Sequence, residues 1–158
     1  MRSAREIKPA GQWHTAAIDR VILSADDRHR RRLVLTAERG TRFLLDLAHA
    51  THLRDGDGLV LDDGSIVCVS SGDELLAEIE SRHALDFVRL AWHLGNRHAD
   101  VQILGNRLRI RRDHVLEDMV VGLGGLVTHI KAAFEPEISG SGHHGVGRAA
   151  AENDAAPC

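Results

Sequence analysis

The chain has 158 residues and 43% hydrophobic content, enough for one ordinary domain or two small ones with a buried core. Its formal net charge of -3 argues against a general polyanion binder, because nonspecific affinity for nucleic acid comes from excess Lys and Arg facing phosphates. No apolar run approaches the roughly 20 residues of a membrane helix. The stretch from Met1 to Pro9 lacks the apolar centre of a signal peptide, so the expected address is the cytoplasm with no membrane partner.

Residues 1 to about 72 read as β structure. Val21 to Ser24, Arg32 to Thr36, Arg42 to Asp46, Gly58 to Asp62 and Ser65 to Val69 are short apolar runs separated by turn-forming segments, two of them Asp-Gly sequences that suit tight hairpins. A small barrel or sandwich of about six strands is expected. Two cysteines make a disulfide framework unexpected. Cys68 lies in a strand pattern and reads as a small packed hydrophobe, while the terminal Cys158 reads as unused.

Ser70-Ser-Gly-Asp73 marks a boundary, after which strands mix with helices. A strand from Glu74 to Glu80 precedes a helix from Arg82 to Leu94, whose Ala84, Leu85, Val88, Ala91 and Trp92 fall on one face, with Gly95 at the position where the chain leaves the helix. Ala99 to Leu104 and Arg107 to Arg111, joined by Gly105-Asn106, read as a hairpin. Val101, Ile103, Leu108 and Ile110 point inward, and Arg107, Arg109 and Arg111 point outward, as a docking patch for an acidic partner or a solvated edge. Asp113 caps a second helix carrying Val115, Leu116, Met119, Val120 and Leu123, which Gly124-Gly125 stops; a last strand runs from Leu126 to Ala132.

The fold class is therefore α+β: a small all-β domain at 1–72, a ferredoxin-like β-α-β-β-α-β domain at 73–137, and a flexible tail from about residue 138, where Gly, Ser, Ala and His take over.

Eleven histidines against 3% aromatic residues raise the prior for a metal protein, since the neutral imidazole binds borderline transition metals. His98 follows the first helix stop and His114 opens the second helix. His93 reads as a helix C-terminal residue. His14, His29, His49, His52, His83 and His129 show no ligand spacing beyond the loose Ala48-His-Ala-Thr-His52, and read as solvated or capping residues.

His93-Leu-Gly-Asn-Arg-His98, followed by Asp113-His-Val-Leu-Glu-Asp-Met119, resembles the UreE family, the nickel metallochaperones of urease maturation. Phe134-Glu-Pro-Glu137 and a histidine-containing tail are similar to that family too. The resemblance implies a homodimer formed through the C-terminal domains, with His98 of each chain meeting at the twofold axis to bind Ni(II). It also implies a docking role for the N-terminal domain and delivery to the urease accessory GTPase and urease apoprotein, without catalytic turnover. An isologous interface doubles every ligand at no further sequence cost. His143 and His144 of the tail fill open coordination positions in this reading.

His114 falls where the family carries peripheral metal-binding histidines as a His-x-His pair, but Arg112 replaces the first of them here. A metal role and a structural role stay open for it. Zn(II) or Cu(II) can compete for an imidazole site. Two other function classes are weaker. A ferredoxin-like RNA-binding module would stack bases on sheet aromatics that Arg107 to Arg111 lacks. A metal-dependent hydrolase, for which Asp100 or Asp113 would act as base, lacks any His-Glu-x-x-His spacing.

Overall fold

The computed structural model describes residues 1–138 and Cys158, which fall into two compact units dividing between Gly72 and Asp73. The tail histidines His143 and His144, and the flexibility expected of the tail, lie outside the described residues.

The first unit is a six-stranded sheet in the order β2-β6-β5-β1-β4-β3, built from β1 (Arg2–Lys8), β2 (Asp19–Leu23), β3 (His29–Thr36), β4 (Arg42–His52), β5 (Gly58–Leu61) and β6 (Ile66–Ser71). Strand β1 has no counterpart among the apolar runs of the sequence, yet it lies inside the sheet, parallel to β4 and antiparallel to β5. Only Ala4 of this strand is fully buried, so neither its period nor its hydropathy announces it. Alternation is plainest on β4, where Phe43, Leu45 and Leu47 enter a core shared with Val21, Leu35, Leu59 and Val67. At the β5–β6 hairpin, Gly64 takes a φ of 82° in the expected Asp63-Gly turn.

Asp19 draws the two margins of this sheet together. Its carboxylate sits at the start of edge strand β2 and accepts hydrogen bonds from the backbone N–H groups of Arg39 (3.0 Å) and Thr41 (3.1 Å), in the turn after edge strand β3. Glu38 N–H donates to the Arg20 carbonyl beside it, and Arg20 Nε donates to Glu38 Oε2 at 2.7 Å. Burial disfavours the Asp19 charge, but the hydrogen bonds from Arg39, Thr41 and Arg20 outweigh it and hold the carboxyl at about 2. Cys68 is fully buried as expected, and Cys158 lies beside it, with Cα atoms 5.8 Å apart. The 90-residue separation hides such a pair from any argument based on local spacing.

The second unit runs β7 (Asp73–Glu80), α1 (Ala84–Asn96), β8 (Gln102–Leu104), β9 (Arg107–Arg111), α2 (His114–Gly122) and β10 (Leu126–Ala133). Its sheet has the order β10-β7-β9-β8, with every neighbouring pair antiparallel. Ala77 and Ile79 of β7 and Leu108 and Ile110 of β9 form one core with Leu90 and Leu94 of α1 and Val120 of α2, so both helices cover the same face.

Two expectations are corrected here. The apolar stripe predicted to bury α1 is only partly the buried one. Leu90 and Leu94 enter the core, flanked by Phe87 and Ala91, whereas Leu85, Val88 and Trp92 are exposed. The helix is apolar on two sides, and periodicity alone does not say which side meets the sheet. The arginines of β9 form neither an edge nor a free patch, since β8 and β10 are the edges. Arg107 pairs with Glu78 (3.1 Å) and Glu80 (2.8 Å), Arg109 with Glu78 (2.9 Å), and Arg111 with Glu74 (3.2 Å) and Asp100 (2.8 Å). The strand that supplies the three glutamates, β7, is the direct neighbour of β9, so these charges are matched within the sheet face.

Replacing Asp19 by Asn should lower stability by about 2 kcal/mol at neutral pH, the scale of losing hydrogen bonds to a charged acceptor. Because folding depresses the Asp19 pKa from 3.8 to about 2, its contribution is complete above pH 3.8 and is lost as pH falls through about 2. Urea titrations of both proteins should therefore differ by a constant amount from pH 7 to 5 and converge on further acidification. A constant gap down to pH 2 would contradict the assignment.

Candidate metal centre

His98 is held by the way α1 ends. Leu94 is fully buried in the core, which fixes its carbonyl at the last turn of the helix. Ala99 N–H donates to that carbonyl at 3.1 Å, and His98 N–H donates to the Gly95 carbonyl at 3.0 Å. Together these are the two hydrogen bonds of a Schellman helix stop, which requires a left-handed residue between them. The residue is His98, with φ of 56°, the sole positive φ at a non-glycine position among the described residues. Gly95, expected to fill that role, is inside the helix instead.

Helix α2 shows what this position ordinarily takes. Gly125 N–H donates to the Val120 carbonyl and Gly124 N–H to the Val121 carbonyl, the same pair of bonds, and the left-handed residue is Gly124 with φ of 87°. A side chain in this conformation costs roughly 1 kcal/mol. The strain at His98 places an exposed imidazole on a rigid turn at the negative end of the helix dipole, where cations are favoured.

The chain after His98 is fastened to the sheet. Asp100 is bound by Arg111, whose guanidinium also lies 4.9 Å from the centroid of the buried Phe134 ring. Glu137 N–H donates to the Val101 carbonyl at 2.7 Å, and Glu135 N–H to Gln102 Oε1 at 3.1 Å. The Phe134-Glu-Pro-Glu137 segment thus braces the strand that leaves the turn. Along α1, Leu85, Val88 and Trp92 stand 59%, 61% and 64% exposed, an apolar stripe on the helix that leads into the His98 turn. His93 lies in the last turn, as expected, with its ring edge-on to Trp92 at 5.0 Å between centroids.

His114 is in a different electrostatic setting. It is exposed as the first residue of α2, behind the Asp113 cap, which accepts from Val115 N–H (2.9 Å) and Leu116 N–H (3.1 Å). That is the positive end of a helix dipole, with Arg112 two positions before it, and neither favours a second cation. Glu117 closes the cap by accepting from Asp113 N–H at 2.9 Å, and its other oxygen contacts His129 Nε2 on β10.

The described residues contain no group of three or more His, Cys, Asp or Glu side chains placed to hold one ion. Neither His98 nor His114 belongs to such a group among the described residues. Sequence reasoning also missed a pairing in the first unit: His29 and His52, set aside for lack of ligand spacing, are directly opposed across β3 and β4. Their ring centroids are 6.1 Å apart. A hairpin register joins residues of arbitrary separation, so only the strand pairing reveals it.

Comparison with known proteins agrees with this layout. The family model described as UreE urease accessory protein, N-terminal domain, matches residues 3–71, and that for the C-terminal domain matches residues 74–155. The chain is 56% identical over 135 residues to the urease accessory protein UreE of Rhodopseudomonas palustris strain HaA2, covering 84% of this chain and 63% of that protein. It is 58% identical over 126 residues to UreE of a Bradyrhizobium strain, BTAi1, covering 80% and 61%. With UreE of Beijerinckia indica it shares 44% identity over 149 residues, covering 91% of this chain and 86% of the relative. The chain thus spans about three fifths of the length of the first two relatives. With both family domains matched in order across nearly all of its length, the chain belongs to the UreE urease accessory protein family.

Proposed function

We propose that this protein is a nickel-binding metallochaperone that delivers Ni(II) to the urease activation complex, acting as a homodimer with its shared metal site built on His98. The observation that carries the reading is the left-handed His98, where the chain keeps an exposed imidazole at a position that the matching stop of α2 gives to glycine. One imidazole is a poor site, and a second copy related by a twofold axis supplies the second. The exposed Leu85, Val88 and Trp92 stripe, which runs into the same turn, supports the self-association that this requires.

In this reading, residues 73–137 form a ferredoxin-like metal-binding and dimerisation domain. The β-α-β-β-α-β order and the β10-β7-β9-β8 sheet support that assignment. Residues 1–72 dock the partners, the urease accessory GTPase and the urease apoprotein, and residues 138–158 provide the tail. Two imidazoles leave coordination positions open for His143 and His144, which occupy them and release again as the ion is passed on. Ni(II) is cargo, and Zn(II) and Cu(II) compete for the same nitrogens. His114 is a minor, peripheral ligand at most, because helix dipole and Arg112 both oppose a cation there. The protein works in the cytoplasm and performs no turnover of its own.

Calorimetric nickel titration with light scattering tests the centre. The wild-type protein should be a dimer with a tight site for about one ion per two chains, and His98→Ala should remain dimeric while losing that site. Retention of tight binding in His98→Ala would exclude the centre. Val88→Glu should give a monomer that also lacks the tight site, and a dimeric Val88→Glu protein would remove the α1 stripe from the interface. His98→Gly should abolish tight binding yet raise stability of the apo-protein by about 1 kcal/mol through relief of the left-handed strain. Denaturant melts checking this would contradict the strain argument if His98→Gly were no more stable than His98→Ala.

A further inference from the structure

We infer that His29 and His52 form a second site for a divalent transition-metal ion, in the first unit and with a ligand set independent of His98. His29 opens β3 and His52 closes β4, and the two are direct partners in the antiparallel ladder. Directly opposed residues share a face of the sheet. Leu53 N–H donates to the Arg28 carbonyl at 2.7 Å immediately beside the pair, while His29 N–H is directed to the Asp26 carbonyl. His29 and His52 are thus a non-hydrogen-bonded pair, the class in which opposed side chains stand closest.

The rings already lie edge to face at 6.1 Å between centroids, with an angle of 72° between their planes. An imidazole nitrogen binds Ni(II), Zn(II) or Cu(II) at about 2 Å, and adding the ring radius at each end puts two ligating centroids roughly 5–6 Å apart. Small side-chain rotations bring the pair to that span. The backbone beneath it is fixed, because the flanking Arg28 and Leu53 are both fully buried. His29 is exposed and His52 half-buried, so an ion has access from solvent.

The charges nearby are mixed, with Arg28, Arg30 and Arg31 close to His29 in the chain and Arg54 two positions beyond His52. The buried Asp57 carboxylate is within electrostatic reach of His52. Arg30, next to His29, projects to the opposite face by strand alternation and lies 3.9 Å from Asp27. The ligand class follows from the donors: two neutral nitrogens select a borderline ion over Mg(II) or Ca(II), which prefer oxygen. The remaining coordination positions belong to water, so the ion exchanges readily and bridges β3 to β4 while bound.

The test uses the full chain carrying His98→Ala, His114→Ala, His143→Ala and His144→Ala, so that its outcome is independent of the centre proposed above. Cu(II) added to this protein should give one bound ion per chain, with an electron paramagnetic resonance spectrum split by two imidazole nitrogens. Zn(II) should raise its Tm. Adding His29→Ala, an exposed substitution that leaves the core untouched, should abolish both effects, and His52→Ala should do the same. The inference is overturned if the parent protein binds no Cu(II), or if its bound Cu(II) and Zn(II)-dependent Tm shift persist in His29→Ala.

Discussion

The hydrogen bond from Ala99 N–H to the Leu94 carbonyl is the constraint on which the candidate metal centre rests. Leu94 cannot move without opening the core that α1 shares with β7, β9 and α2, so its carbonyl is a fixed acceptor. Any chain that returns to that acceptor must pass through one left-handed residue. The position of His98 is thereby set by packing several residues away, while its side chain takes no part in packing. Through the core, this separation fixes the backbone that carries an exposed imidazole, and the later bracing by Arg111, Asp100 and Phe134 extends the same rigidity past the turn.

Helix α1 has two apolar sides, and this is where local pattern and tertiary structure part. Its heptad-like spacing is genuine and was readable, as were the β8–β9 hairpin, the Asp113 cap and the Gly124 stop. The phase of the helix was not readable, because Phe87, Leu90, Ala91 and Leu94 make as good a stripe as Leu85, Val88 and Trp92. A surplus apolar side on a helix of a small unit calls for a partner surface. The geometry of the sheet core then determines which side is left over.

The other features hidden from the sequence share one cause, which is that they live in the pairing between strands. Strand β1 shows a single fully buried side chain and reads as polar, yet it is held on both sides by β4 and β5. Arg107, Arg109 and Arg111 looked like an exposed positive face until β7 brought Glu74, Glu78 and Glu80 opposite them. His29 and His52 meet only because β3 and β4 share a register. The His98 motif, by contrast, is continuous in the chain, so the family resemblance it carries was legible, though its strained conformation was not.

The protein has two tryptophans and no tyrosine, and each unit holds one of the two. Trp13 is 3% exposed, its indole N–H donating to the Gly56 carbonyl and its ring packed with Ile66 and Cys68. Trp92 is exposed on α1 and edge-on to His93. Intrinsic fluorescence therefore has two channels of different colour, a short-wavelength emission from the dry indole and a long-wavelength emission from the wet one. Events in the two halves of the molecule can be followed in one cuvette without a label, the first channel reading the integrity of the β unit and the second the surroundings of the helix that ends at His98.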